Sequence, residues 1–344
     1  MAGRSRYVLD PQLAAGLDRF AAGGAGGPAG GGDGGPAAGG AAEPPPARGD
    51  WQALRALLTA DMTRLAAAES APRPDVETVD FAATSDDQQP LALRWYRPRG
   101  EQPGSAVVFV HGGGMIAGDI DLYDGMVSGY VDRAGVPFLS VGYRRAPEAS
   151  GTTPARDVFA AVRWLRRRGG SLGVDLDRIA VMGESAGGGL AAAAAIAARD
   201  ERIELAAQIL IYPMLDDRTD GASGDSPGTR DLAPLVPGAW SYDTNATGWG
   251  ALLGAARGTA EVSPLAAPAR LADFRGLARA YIEVGDLDLF RDEDLAYAGR
   301  LAAAGVPLEL HVHPGAPHGY ERLAPSSELA RRVSDDRVRV LRSL

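Results

Sequence analysis

Ser185 stands in GESAG, residues 183–187, between the apolar run RIAVM and the alanine-rich run GGGLAAAAAIAARD. A G-x-S-x-G pattern exposes a nucleophile when it follows a buried strand and opens a helix. The chain must then turn sharply and hold the serine at a strained backbone angle. Bulky residues at positions 183 and 187 would clash in such a turn. Gly188 and Gly189 each weaken a helix by about 1 kcal/mol relative to alanine. Close packing of that helix against neighbouring strands is the expected compensation. The helix N-terminus directs amide N–H groups and a positive dipole end at Ser185. A serine cap in an ordinary strand-to-helix turn is the plainer alternative.

A hydroxyl needs a base to become a nucleophile. The chain has four histidines: His111, His311, His313 and His318. In a fold where the serine sits on such an elbow, the chain order is serine, acid, histidine, which excludes His111 as the base. His311 and His313 fall within an expected strand and share a face by their period of two. They could bind a metal only with a third ligand, and none is apparent; they are read as plain strand residues. His318 lies in PGAPHGY, a loop just past the last expected strand, at the edge where a doubly wound sheet builds its site. It is the expected base.

The acid should follow an earlier strand. After ARAYIEV comes GDLDLFRDEDL, with Asp286, Asp288, Asp292, Glu293 and Asp294. The last three fall where a helix begins, and acids there are usually caps and dipole partners. Spacing alone does not separate Asp286 from Asp288.

HGGGMIAG, 111 to 118, follows the apolar run AVVFV. A phosphate-binding loop would need the G-x-G-x-x-G order or a P-loop lysine, and the chain contains no lysine. The other use of such a loop is an oxyanion hole. Glycines let backbone N–H groups turn into a pocket, where with the amide of Ala186 they would hold a developing negative oxygen. Losing one such donor costs about 3 kcal/mol of barrier.

These residues must be carried by a suitable frame. Short β-rich runs at 76–83, 91–98, 106–110, 136–141, 178–182, 207–212, 278–284 and 307–313 make eight expected strands. The first two are half-buried and form an antiparallel start. Helical stretches such as PARDVFAAVRWLRRR and DEDLAYAGRLAAAG separate many of the rest. Apolar strands alternating with helices imply a mostly parallel sheet covered on both faces. Residues 7–20 suit a short helix begun by Asp10 and Pro11. Residues 21–49, rich in glycine, alanine and proline, read as a flexible linker. In 51–69 a stripe of Trp51, Leu54, Leu57, Leu58, Met62 and Leu65 marks an amphipathic helix. Residues 214–262 interrupt the strand–helix rhythm and suit either a floppy loop or part of a lid over the carboxyl ends of the strands.

Composition narrows the function classes. With 344 residues and 45% hydrophobic content, the chain is long enough for one large α/β domain and a covering element. A net charge of −9 argues against nucleic acid and against an anionic membrane surface. No apolar run approaches the roughly 18 residues of a membrane span. The N-terminus lacks an apolar signal core, so the expected location is the cytoplasm. Cysteine is absent, which excludes thiolate nucleophiles and cysteine-ligated metals. All 35 basic residues are arginine, which excludes lysine Schiff-base chemistry.

The chain resembles the bacterial hormone-sensitive-lipase-like (family IV) carboxylesterases of the α/β-hydrolase fold, over roughly residues 76–325. The motifs that carry the resemblance are HGGG at 111, YRRAPE at 143, GESAGG at 183, YPMLDDR at 212, DLFRDE at 288 and GAPHGY at 315. The resemblance implies an eight-stranded, mostly parallel sheet with a helical cap. Residues 1–75 would supply cap helices, 76–344 the catalytic domain, and about 214–262 an inserted cap segment. It implies Asp288 as the acid, and Gly113, Gly114 and Ala186 as oxyanion donors. The chain departs from the family's usual pattern at Arg145, at ASGTT (149–153) and at Leu289. None of these is a triad position; they bear on the shape of the pocket.

The implied activity is hydrolysis of carboxylic esters of short to medium acyl chains by Ser185, His318 and Asp288. It needs no metal or organic cofactor, and its partner is a small-molecule ester. Family members are often homodimers. Two alternatives share the same fold: an acyltransferase, lyase or cyclase using the same site, and a non-catalytic small-molecule receptor. A complete triad disfavours the receptor.

Overall fold

The strands form one sheet. They are β1 (Val76–Thr84), β2 (Pro90–Pro98), β3 (Ala106–Val110), β4 (Phe138–Gly142), β5 (Ile179–Glu184), β6 (Ala207–Ile211), β7 (Ala280–Gly285) and β8 (Leu308–His313). A computed structural model describes residues 8–21, 45–100, 104–220 and 240–344. The sheet order is β1-β2-β4-β3-β5-β6-β7-β8. β1 and β2 are antiparallel, as are β2 and β4, and every pair from β4 to β8 is parallel. The eight-stranded, mostly parallel sheet read from the sequence is therefore borne out.

The helices are α1 (Pro11–Ala21), α2 (Trp51–Glu69), α3 (Asp124–Ala134), α4 (Thr153–Arg168), α5 (Ala186–Asp200), α6 (Tyr242–Leu253), α7 (Arg291–Ala303), α8 (Tyr320–Leu323) and α9 (Glu328–Arg342). The central strands bury both faces, and alternate residues feed two cores. Val108, Val110, Leu139 and Val181 pack with α4 and α5 on one side. Val107, Phe109, Phe138 and Met182 pack with α3 and α9 on the other.

Pairing register decides where the site lies. Val110 stands opposite Gly183, Glu184 opposite Ile211, and Gly285 opposite His313. The segments after β3, β5, β6, β7 and β8 thus leave the sheet at one edge. That edge is the carboxyl end, where open α/β sheets place their ligands.

α1 begins where Asp10 caps it, Oδ1 accepting from Gln12 N at 2.8 Å and Leu13 N at 3.1 Å. Asp50 caps α2 through Ala53 N. Of the expected α2 stripe, Leu54 and Met62 are buried, but Leu57 is 44% exposed. The buried surface of α2 is narrower than its apolar pattern. The turn before α2 joins α6 through Gly49 N, which donates to Thr247 Oγ1 at 2.9 Å. Of the 21–49 linker, 22–44 lie outside the described residues, as do 1–7, and 221–239 of the expected cap segment. Among the described residues, no helix is long and apolar enough to cross a membrane.

Candidate active site

Ser185 sits between β5 and α5 with φ 55° and ψ −124°. Its backbone is held at both ends: Ser185 N donates to Ile211 O at 2.9 Å, and Ser185 O accepts from Met214 N at 2.9 Å. The glycines around it are close approaches. A Cβ on Gly183 would collide with Gly187 O, and one on Gly187 with Val110 O and His111 O. Gly188 packs on Pro213 and Gly189 on the carbonyl of Met214. The contact that offsets their low helix propensity is thus with the segment after β6 rather than with a strand.

His318 Nε2 lies 2.9 Å from Ser185 Oγ, and His318 Nδ1 lies 2.7 Å from Asp288 Oδ2. Both distances are within direct proton-transfer range. Asp288 is buried, and its other oxygen accepts from Phe290 N at 3.0 Å. That bond leaves Oδ2 aimed at the imidazole. The ring is also fenced edge-on by Tyr212 at 4.8 Å and Phe290 at 5.1 Å. Burial disfavours the imidazolium, but the charge of Asp288 and its hydrogen bond outweigh that and raise the His318 pKa above its ordinary value.

Asp286 does a different job. Its Oδ1 accepts from Gly315 N at 2.7 Å, which ties the loop after β8 to the loop after β7. Glu293 serves the segment after β6 rather than capping its own helix. Its Oε1 accepts from Leu215 N at 2.6 Å and Asp216 N at 3.2 Å, and its Oε2 from the Thr219 hydroxyl. It braces the segment that leads out of β6. Asp292 pairs with Arg291. Asp294 is fully buried, with both carboxylate oxygens unpartnered among the described residues, and burial holds its carboxyl well above the usual range.

The glycine loop after β3 curls over the serine. Gly113 has φ +116° and Gly114 φ +60°, conformations that glycine adopts without strain. A Cβ on Gly113 would collide with Ala117 O. Among the described residues, no acceptor takes the N–H of Gly113, Gly114 or Ala186. Buried donors are rarely left so, and an oxyanion would satisfy them. His111 supports the loop from below: Nδ1 bonds Gly112 O at 2.8 Å and the ring stacks on Tyr143 at 4.2 Å. Burial pushes its pKa down to about 4. Arg145, where the family usually has leucine, donates to Gly118 O at 2.6 Å.

Three long-range contacts carried no local signal in the sequence. Trp240 packs its indole against Gly114, so that a Cβ there would collide with Cη2. Arg55 on α2 donates to Ile116 O at 2.7 Å and Ala146 O at 2.6 Å, and pairs with Glu148. Tyr212 reaches His318 from the end of β6. His311 and His313 stay outside the site; their rings stack, and His311 Nε2 pairs with Glu309.

Residues 107–322 match a family model described as the alpha/beta hydrolase fold. The chain is 32% identical over 327 residues to an ethyl acetate hydrolase of Pseudomonas putida, covering 94% of this chain and 95% of that one. It is 35% identical to the esterase LipI of Mycobacterium tuberculosis, covering 72% and 76%. Among solved structures, a bacterial heroin esterase superposes with a TM-score of 0.82 at 29% identity, covering 98% of both chains. A hyperthermophilic esterase from the archaeon Pyrobaculum calidifontis gives 0.80 at 27% identity, again over 98% of both.

Proposed function

Because this chain belongs to the α/β-hydrolase-fold family, among its hormone-sensitive-lipase-like carboxylic ester hydrolases, we propose that it cleaves esters by acyl transfer to Ser185. His318 takes the Ser185 proton as Oγ attacks the carbonyl carbon, and Asp288 orients the imidazole and stabilises the imidazolium. The N–H groups of Gly113, Gly114 and Ala186 hold the oxyanion. His318 then protonates the leaving alcohol. Water, deprotonated by His318, hydrolyses the acyl-enzyme and restores the serine.

The observation that carries this reading is the line of contacts Ser185 Oγ–His318 Nε2 at 2.9 Å and His318 Nδ1–Asp288 Oδ2 at 2.7 Å. It ends beside three backbone donors that no acceptor takes among the described residues. α1, α2, α6 and the segment around α6 act as the cap. The substrates are esters of short to medium acyl chains, a reading supported by the Trp240 indole standing against the oxyanion loop. The similarity to an ethyl acetate hydrolase across both chains points the same way. A homodimer joined at the open edge of β8, where Leu310 and Val312 are exposed, completes the reading. Light scattering after size exclusion tests it.

The deciding experiment is turnover of p-nitrophenyl esters from acetate to dodecanoate by wild type and Ser185→Ala, with mass spectrometry after fluorophosphonate treatment. Turnover of short esters that is lost in the variant, with the label on Ser185, supports the proposal. A labelled Ser185 without ester turnover means an acyl transfer, lyase or cyclase reaction at the same serine. No label and no turnover refutes the nucleophile.

A further inference from the structure

His318 is followed by three buried side chains, Tyr320, Glu321 and Arg322, each bonded to a different element. Tyr320 Oη donates to Glu283 Oε1 of β7 at 3.1 Å. Glu321 Oε1 accepts from Tyr212 Oη at 2.7 Å and from Arg337 Nη1 of α9 at 2.8 Å. Arg322 spans Glu69 of α2, at 3.0 and 3.1 Å, and Glu184 of β5, at 3.5 Å, with its guanidinium 4.6 Å over the Tyr123 ring. Tyr212 joins this network to the site. Its hydroxyl lies 2.7 Å from Glu321 and 3.5 Å from Glu184, while its ring meets the imidazole edge-on at 4.8 Å.

The charges do not balance. Four carboxyl groups, on Glu69, Glu184, Glu283 and Glu321, share two guanidiniums, on Arg322 and Arg337. Burying an excess of negative charge is costly, so the carboxyl with the poorest partners takes a proton. Glu283 has Arg337 and two tyrosine hydroxyls. Glu321 takes the direct Arg337 and Tyr212 bonds on Oε1, while its Oε2 is buried with no partner among the described residues. Glu184, next to Ser185 in sequence, has weaker charge compensation: Arg322, which already makes two bonds to Glu69, lies 3.5 Å from it, and its other contacts are the neutral hydroxyls of Tyr212, at 3.5 Å, and Tyr123.

We infer that Glu321 is a positioning residue for the base: it remains a carboxylate, fixes Tyr212 against His318, and supplies a negative charge behind the imidazole, while Glu184 is neutral. This rests on the reading of His318 as general base. Titration tendencies agree. Burial works to raise both groups; Glu184 ends above the usual carboxylate range, whereas Arg337 and the Tyr212 hydroxyl pull Glu321 below it. The other titratable or charged groups facing His318 and Glu321 are Asp288 from the loop after β7, Arg337 from α9 and Glu184 from β5, which if ionised would act on the imidazole more strongly than Glu321.

The test is the pH profile of kcat/KM for p-nitrophenyl acetate, read at the isosbestic wavelength, in wild type, Glu321→Gln, Glu184→Gln and Tyr212→Phe, with melting temperatures alongside. A carboxylate stabilises the imidazolium, so removing it lowers the His318 pKa. In Glu321→Gln the acid limb should move to lower pH by about half a unit or more. Its plateau kcat should fall by about tenfold with KM unchanged. Glu184→Gln, which replaces a neutral group by a neutral one, should leave the limb in place. Tyr212→Phe keeps every charge but frees the link, so kcat should fall with KM unchanged. The inference is overturned if a folded Glu321→Gln keeps the wild-type acid limb, or if Glu184→Gln moves it as far. If Glu321→Gln does not fold, an unchanged kcat in Tyr212→Phe overturns it, and a lowered kcat at constant KM supports it. Turnover that persists in Ser185→Ala is a different failure, that of the hydrolase reading itself.

Discussion

Trp240 packs its indole against Gly114, with a Cβ on that glycine only 3.1 and 3.2 Å from Cζ2 and Cζ3. The indole is steadied by Nε1 donating to Asn245 Oδ1 at 3.3 Å, and Asn245 in turn donates to Thr219 O at 2.8 Å. An aromatic wall beside the proposed oxyanion donor sets the room for the groups on the carbonyl carbon. Trp240→Ala should raise kcat/KM for decanoate relative to acetate by about tenfold, the value of one to two buried methylene groups. The p-nitrophenyl ester series measures that ratio, and an unchanged ratio removes Trp240 from the specificity wall.

The two aspartates after β7 should separate cleanly in kinetics. Asp288→Asn removes the carboxylate at His318 Nδ1, and kcat should fall by about 10³- to 10⁴-fold. Asp286→Asn keeps an oxygen able to accept from Gly315 N and should cost less than about tenfold. A large loss in Asp286→Asn with a small one in Asp288→Asn would reverse the assignment.

The proposed base works only when neutral, so kcat/KM should fall with decreasing pH through the His318 pKa. That pKa is raised by Asp288 against the opposing effect of burial. The wild-type acid limb should therefore have its midpoint above about 6.5, the ordinary histidine value. The residual activity of Asp288→Asn should show the midpoint moved down. Rate measurements from pH 4 to 9 check both.

Stability should carry the opposite histidine signature. His111 is buried and titrates at about 4 when folded, against about 6.5 in an unfolded chain. Between those values the unfolded state binds more protons. The stability is therefore complete above about pH 6.5 and is lost as pH falls toward 4. Melting temperatures of wild type should drop across this window more steeply than those of His111→Gln. Equal slopes would show that His111 is not the group responsible.

Arg55 clamps α2 to the oxyanion loop through Ile116 O and to the following loop through Ala146 O. Lysine cannot reproduce a guanidinium fork that serves two carbonyls and the Glu148 carboxylate at once. Arg55→Lys should lower kcat by about three- to tenfold, with little change in KM, because the loss falls on oxyanion placement. A change in KM alone would point to the substrate pocket instead.

The sequence by itself determined the sheet, the elbow and the glycine loop, because each is written in local backbone chemistry. Short β-branched runs alternate with helical spacing, and only glycine tolerates the approaches made at Gly183, Gly187 and Gly113. It pointed to His318 as the base: chain order excluded His111, and His311 and His313 fell inside an expected strand while His318 lay in the loop just past it. It could not choose the acid from spacing. Asp286 and Asp288 are two residues apart on one loop, and only the fold assigns Gly315 N to the first and His318 Nδ1 to the second. The α2 pattern likewise named Leu57 as part of a buried stripe, but how much of a helix face is covered depends on its neighbours, and here Leu57 is left exposed. Trp240 on Gly114, Arg55 on Ile116, and Tyr212 between Glu321 and His318 join residues 61 to 126 positions apart. Contacts of that range leave no periodicity and no motif. They exist only once the register of β3, β5, β6, β7 and β8 has brought five chain segments to the same edge.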